Sequence, residues 1–254
     1  GDKHKKFDSH NEETIFVGYS NGQKTNRDSW DYNFDRNEQQ SRSKWMISEF
    51  NKFKTDGQKN SSFAWNDTQI KKARTAKTSE SFNDEDLVIS NYRPFCKIWY
   101  YSNKLFTERV YQMPRIYPHG QKNLTICVSG TGLKKDFSCL MTDALTDLEI
   151  VGKSQCFPLY WYEPNIERKS EQRSMIDFGG EVQSNGLIRH DGISDWALNK
   201  AKCKYGAEIT KEDLFYYVYG YLHSRDYREA FSEDLKFELP RIGLVRNYSD
   251  FVAF

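Results

Sequence analysis

Gly130, Thr131 and Gly132, followed by Lys134 and Lys135, come nearest by type to phosphate chemistry, and they close the apolar run Leu124 to Val128. A Walker loop needs four residues between its glycines and a Lys-Ser/Thr ending, so that backbone amides wrap the phosphates while the hydroxyl holds magnesium. Here one residue separates the glycines, and a second lysine stands where the hydroxyl belongs. The segment reads as a tight turn whose glycines and lysines approach one phosphate, not as a nucleotide cradle.

Other chemistries find less. No G-x-S-x-G elbow occurs, and the Ser, His and Asp residues show no spacing that singles out a nucleophile with its base. Asp84 with Asp86, and Glu233 with Asp234, fall at expected helix ends, where caps and solvated faces explain carboxylates more simply than acid-base work. Amino-methylating enzymes carry an Asp/Asn-Pro-Pro-aromatic tetrapeptide, which Glu163-Pro164-Asn165 does not match. The five cysteines, Cys96, Cys127, Cys139, Cys156 and Cys203, form no C-x-x-C pair, and the five histidines form neither H-x-x-x-H nor H-E-x-x-H. The chain is therefore expected to hold no metal or cofactor and to perform no catalysis of its own.

Charge is more informative than catalytic motifs. The net charge of +1 advertises nothing, but between Arg93 and Lys135 eight bases face the single acid Glu108. Those bases are Arg93, Lys97, Lys104, Arg109, Arg115, Lys122, Lys134 and Lys135, interleaved with Phe95, Trp99, Tyr100, Tyr101, Phe106, Tyr111 and Tyr117. Cations and flat rings together suit a polynucleotide grip. They equally suit a half-buried sheet whose rings form core while its bases are solvated.

These residues need elements to position them. The 254 residues suffice for one large domain or two small ones, and we favour one over 14–254, after a disordered or tag-derived start over 1–13. Aromatics at 15% supply core area despite 29% charged residues. No window approaches the roughly eighteen apolar residues of a membrane span, and no signal-peptide apolar region opens the chain, so a cytoplasmic protein is expected.

Thr14 to Val17 reads as a short strand and Tyr19 to Gly22 as an Asn-Gly turn. Met46, Phe50 and Phe53 recur at helical spacing within Asn37 to Lys54, with a polar loop over Thr55 to Ser62. Asn66 or Asp67 caps a basic helix through Lys71, Lys72, Arg74 and Lys77. Ile98 to Tyr101, Arg109 to Tyr111, Leu124 to Val128 and Cys156 to Tyr162 read as strands. Residues 163–192 form a long polar excursion.

Ser194, Thr210 with Asp213, and Ser224 or Asp226 open helices that stop before Pro240, giving a helical part over about 193–239. The fold class expected is α+β: a mixed, largely antiparallel central sheet with N-terminal helices and a C-terminal helical subdomain.

Six blocks carry information beyond periodicity. They are Tyr19-Ser-Asn-Gly-Gln-Lys-Thr-Asn-Arg-Asp-Ser-Trp-Asp-Tyr-Asn-Phe34, Tyr92-Arg-Pro-Phe95, Val110-Tyr-Gln-Met-Pro-Arg115, Lys135-Asp-Phe-Ser138 with Met141-Thr-Asp143, Gln155-Cys-Phe-Pro158, and Thr210-Lys-Glu-Asp-Leu-Phe-Tyr-Tyr-Val-Tyr-Gly220. In this order they resemble the C-terminal specificity domain of Type ISP restriction-modification enzymes, from about Ile15 to the end. In that family nuclease, helicase-like translocase, adenine methyltransferase and recognition domain share one polypeptide serving bacterial defence.

The resemblance implies a target-recognition domain that sits beside the methyltransferase domain, closes over double-stranded DNA and selects an asymmetric site. S-adenosylmethionine, ATP and magnesium would serve upstream domains. A second possibility is a module that docks the methyltransferase to the helicase-like domain, with Trp99, Tyr217 and Tyr221 as anchors.

Among contacts, Lys24, Thr25, Asn26 and Arg27 combine amide, hydroxyl and cationic groups suited to phosphates and base edges, unless local bonds fix them as a turn. Lys134 and Lys135 suit the DNA backbone. Asn185, Arg189 and His190 in the excursion are expected base readers, and Arg115 belongs to the same basic stretch. Arg93, held extended by Pro94, either reaches a phosphate or serves a buried carboxylate.

Overall fold

Asp35 opens the longest helix by accepting the Glu38 amide, and Gly57, at φ 72°, closes it in the left-handed conformation glycine adopts without penalty. Between them, Met46, Ile47, Phe50 and Phe53 make one buried stripe. A computed structural model of the chain describes residues 13–62, 65, 71, 75, 79–165 and 180–254.

In chain order the elements begin with β1 (Ser20–Asn21), α1 (Asp28–Asp31), β2 (Tyr32–Asn33), α2 (Arg36–Asp56), β3 (Leu87–Arg93), β4 (Cys96–Tyr101) and α3 (Met113–Ile116). They continue with β5 (Thr125–Val128), β6 (Cys139–Thr142), β7 (Leu145–Thr146), β8 (Gln155–Pro158), β9 (Tyr160–Pro164), β10 (Glu181–Val182) and β11 (Leu187–Asp191). Helices α4 (Asp195–Tyr205), α5 (Lys211–His223), α6 (Arg225–Ala230), α7 (Asp234–Phe237) and α8 (Tyr248–Ala253) complete the chain.

The α+β class is observed, with the strands divided among three sheets ordered β1-β8-β5-β6, β10-β11-β9 and β2-β4-β3-β7. All pairings are antiparallel except β3 with β7. Helix α2 lies on the third sheet through Leu87 and Tyr101. The C-terminal helices cover the first sheet, where Leu214, Phe215, Val218 and Leu222 meet Ile126 and Val128. The expected caps are present: Ser194 accepts the Ala197 amide, Thr210 and Asp213 form a reciprocal capping box, and Ser224 accepts the Tyr227 amide. Beyond the expected helical part, α8 folds back so that Phe251 stacks on Tyr217.

Four local readings change. Tyr19 to Gly22 is no hairpin turn: Ser20 and Asn21 pair with Cys156 and Gln155. Thr14 to Val17 is held by backbone bonds but reduces to one bridge, Phe16 with Ile193. Arg109 to Tyr111 contributes a single bridge, Arg109 with Lys24, before Tyr111 takes a positive φ and Pro114 enters α3. The run Cys156 to Tyr162 splits at Leu159 into β8 and β9, in different sheets. Leu159 lies between them, its amide donating to the Leu124 carbonyl and its own carbonyl accepting from the Gly192 amide.

The basic helix expected after Asn66 lies largely outside the described residues, as do residues 166–179 of the excursion and the start over 1–12. No helix among the described residues is long and apolar enough to cross a membrane.

Candidate nucleic-acid interface

The turn Lys24 to Arg27 is built by alternation. Thr25 is 1% exposed and donates to Asp28, while Arg27 is 5% exposed, pairs with Asp31 at 3.3 Å and donates to the Phe106 carbonyl. Two of the four expected contacts are thus internal anchors, turned inward because the polar groups of Asp28, Asp31 and Phe106 need their donors. Asn26 is left outward and Lys24 half-buried. Asn26 is exposed at φ 61°, a left-handed conformation that asparagine tolerates better than most residues.

Lys24 does not stand alone. It exchanges both backbone bonds with Arg109, each 2.9 Å. A reciprocally bonded antiparallel pair sets side chains on the same side with Cα atoms about 5.5 Å apart. Two cations are therefore held abreast, an arrangement that repels unless an anion lies over it.

Arg93 takes the carboxylate option. Its guanidinium reaches Asp147 at 2.8 Å and Asp28 at 3.1 Å and packs over the Tyr92 ring. Tyr92 donates to the same Asp28, and Tyr32, itself bonded by Gln23, donates to Asp147. Three chain segments meet there, including both the Tyr19–Phe34 and Tyr92–Phe95 blocks. Burial pushes the Asp147 carboxyl up to about 6, against the pull of the Glu149 amide and Arg93. Burial likewise pushes Asp31 up to about 7 despite Arg27 beside it. For Arg93, burial is outweighed by Asp147, Tyr92 and Asp28, which raise its pKa.

The first sheet sorts the remaining candidates by its two ends. Asn21 and Val128 both pair with Gln155, and Val128 with Cys139. The chain after β1, the β5–β6 loop and the loop before β8 therefore leave from one end. They carry Lys24, Lys134, Lys135 and Lys153, with Lys153 held against Gly130 by the bond from the Gly130 amide to Gly152. Lys24, Arg109, Lys134, Lys135 and Lys153 make no ion pair among the described residues.

Arg115, Asn185, Arg189 and His190 lie beyond the opposite end, about 13 Å of strand away. There Arg115, Arg189 and His190 face internal partners, whereas Lys122, in the chain that enters β5, is exposed and makes no ion pair among the described residues. Arg115 packs over Trp161 at 4.6 Å and faces Glu163 at 3.6 Å. His190 stacks on the same Trp161 at 4.0 Å and meets Glu163 at 3.1 Å. Arg189 pairs with Glu181 and covers Tyr160. Asn185 is exposed at the β10–β11 tip, where its side-chain oxygen accepts the Leu187 amide. The structure thus divides the expected contacts into an end whose cations make no ion pair among the described residues and an end where Arg115, Arg189 and His190 are internally partnered.

Sequence reasoning did not single out Arg109 and Lys153 as candidate site residues. Arg109 stood in the basic stretch, but only pairing shows that it flanks Lys24; Lys153, at φ 44°, carries no sequence cue. Of the aromatics considered as docking anchors, Tyr217 is buried and donates to the Gly243 carbonyl, Tyr221 packs on Tyr217 and Tyr227, and Trp99 lies under Arg36. Among the described residues no group of three or more His, Cys, Asp or Glu side chains is placed to hold a metal ion.

The family described as Type ISP C-terminal specificity domain matches residues 14–254. The structure is similar to that of the DrdV–DNA complex, with 31% identity and a TM-score of 0.79 over 94% of this chain and 22% of that one. It is similar to LlaBIII, an ATP-dependent Type ISP restriction-modification enzyme bound to DNA, with 26% identity and a TM-score of 0.79 over 97% of this chain and 15% of that one. A nuclease-deletion mutant of the Type ISP enzyme LlaGI, in complex with a DNA substrate mimic, gives 28% identity and a TM-score of 0.72 over 95% and 18%. The chain spans less than a quarter of the length of each. No curated protein matches it.

Proposed function

Given that the chain belongs to the Type ISP C-terminal specificity domain family, we propose that it selects a sequence in duplex DNA for a restriction-modification enzyme. Adenine methylation and cleavage fall to other parts of that enzyme. The methyltransferase domain of the same polypeptide is the partner assigned, and S-adenosylmethionine, ATP and magnesium are assigned to those other parts.

One observation carries the reading: Lys24, Arg109, Lys134, Lys135 and Lys153 leave or flank one end of the first sheet without carboxylate partners among the described residues. A duplex supplies the regularly spaced anions that such a surface lacks. The outward amide of Asn26, beside these cations, has the planar donor-acceptor pair that matches adenine in the major groove. The solved relatives named above were all captured with DNA or a DNA mimic, which supports the same assignment.

The test is affinity for short random-sequence duplexes against salt. Binding weakens as salt rises, and Lys134→Ala with Lys135→Ala lowers the slope of log K against log salt by about 2. Salt-independent binding, or no binding by the chain alone and none when it is joined to a methyltransferase domain, overturns the reading.

A further inference from the structure

Strands β3 and β4 are joined by Pro94 and Phe95, between the paired residues Arg93 and Cys96. Proline holds φ at about −65°, which suits the first central position of a tight turn. In a type II turn the second position takes a positive φ, where glycine is the residue without penalty. Phe95 occupies it at φ 60°, and its side chain is 89% exposed. Two costs coincide at one residue: a bulky side chain in the left-handed region, and an aromatic ring in water with no ring partner among the described residues. Glycine would remove both.

The hairpin carrying this ring is firmly held. Arg93 is tied to Asp28 and Asp147, Tyr92 to Asp28, and Lys97 to Asp143. Thr25 bonds the same Asp28, so the hairpin and the Lys24–Arg27 turn share an anchor. A strained, exposed ring on this tied hairpin contributes nothing to the packing of the chain.

We propose that Phe95 is a base-contacting residue whose ring stacks at a base-pair step of the bound duplex. The proposal rests on the DNA-recognition reading above. It divides the labour: the cations contact phosphates, and the ring supplies a contact that salt does not screen.

The 254-residue chain is used to select duplexes from a random-sequence pool, and Phe95→Gly and Phe95→Trp are compared with wild type on a selected duplex. Phe95→Gly is expected to melt no lower than wild type, because it relieves the positive φ. Its affinity falls about tenfold at every salt concentration with the salt slope unchanged, while Phe95→Trp retains wild-type affinity. Wild-type affinity in Phe95→Gly, or a loss that appears only together with a lower melting temperature, overturns the proposal. A wild-type chain that selects no duplex, either alone or joined to a methyltransferase domain, overturns the recognition reading and this proposal with it.

Discussion

Arg93 Nη1 donates to Asp147 Oδ1 at 2.8 Å, and this contact clamps the end of β3 to the segment that follows β7. The other guanidinium nitrogen reaches Asp28 at the start of α1. One side chain thereby holds together three chain segments that are far apart in sequence.

Arg93→Ala is expected to cost about 2 kcal/mol of stability, less than the 3–5 typical of a fully buried pair because the guanidinium keeps some solvent contact. Asp147 is left buried without its counter-charge. Arg93→Lys does not restore the wild type, since one ammonium cannot span two carboxylates as a planar fork does. Thermal melting reads the loss. An unchanged melting temperature in Arg93→Ala would return Arg93 to the list of phosphate contacts.

The Asp147 carboxyl has a folded-state pKa of about 6 against 3.8 unfolded, so between these values the folded chain binds more protons than the unfolded one. Stability drawn from this group is full below 3.8, is lost as pH rises to about 6, and is flat above. Asp147→Asn removes that contribution. Its melting temperature should vary less with pH across this window than the wild type's, with a residual slope of the same sign from Asp31, which is pushed up to about 7. Equal pH profiles for variant and wild type would exclude Asp147 as the titrating group.

Lys24→Ala with Arg109→Ala should melt at the wild-type temperature or slightly above it, since two like charges abreast are parted. The same pair should lower the salt slope of duplex binding by about 2. Arg115→Ala with Arg189→Ala is the matched control from the other end of the sheet. There the slope should stay at the wild-type value, because these cations already face Glu163 and Glu181. A slope that drops in the control and not in the first pair would place the duplex at the opposite end.

Much of the local structure is legible in the sequence. The stripe Met46, Phe50, Phe53 locates α2, and Ser194, Thr210 with Asp213, and Ser224 locate the starts of α4, α5 and α6. Period and capping depend on neighbours within four residues, so they can be read along the chain. The strands are less legible. Whether Tyr19 to Gly22 turns or pairs is decided by Cys156 and Gln155, more than 130 residues on, and one uninterrupted apolar run becomes two strands because its two halves pair with different partners, β1 and β5 for β8 and β11 for β9.

The site divides along the same line. Residue types alone mark Lys24 to Arg27, Arg93 and the basic stretch as worth attention, and six ordered blocks point to the family. Which of these side chains face outward is a tertiary decision: Thr25, Arg27 and Arg93 are claimed by Asp28, Asp31 and Asp147, whereas Lys24 is set beside Arg109 and left uncompensated. Sequence determines which groups carry charge and which segments repeat at helical spacing. Only the fold decides which charges are neutralised within the molecule, because an ion pair depends on distance in space, and antiparallel pairing brings together residues that the chain keeps far apart.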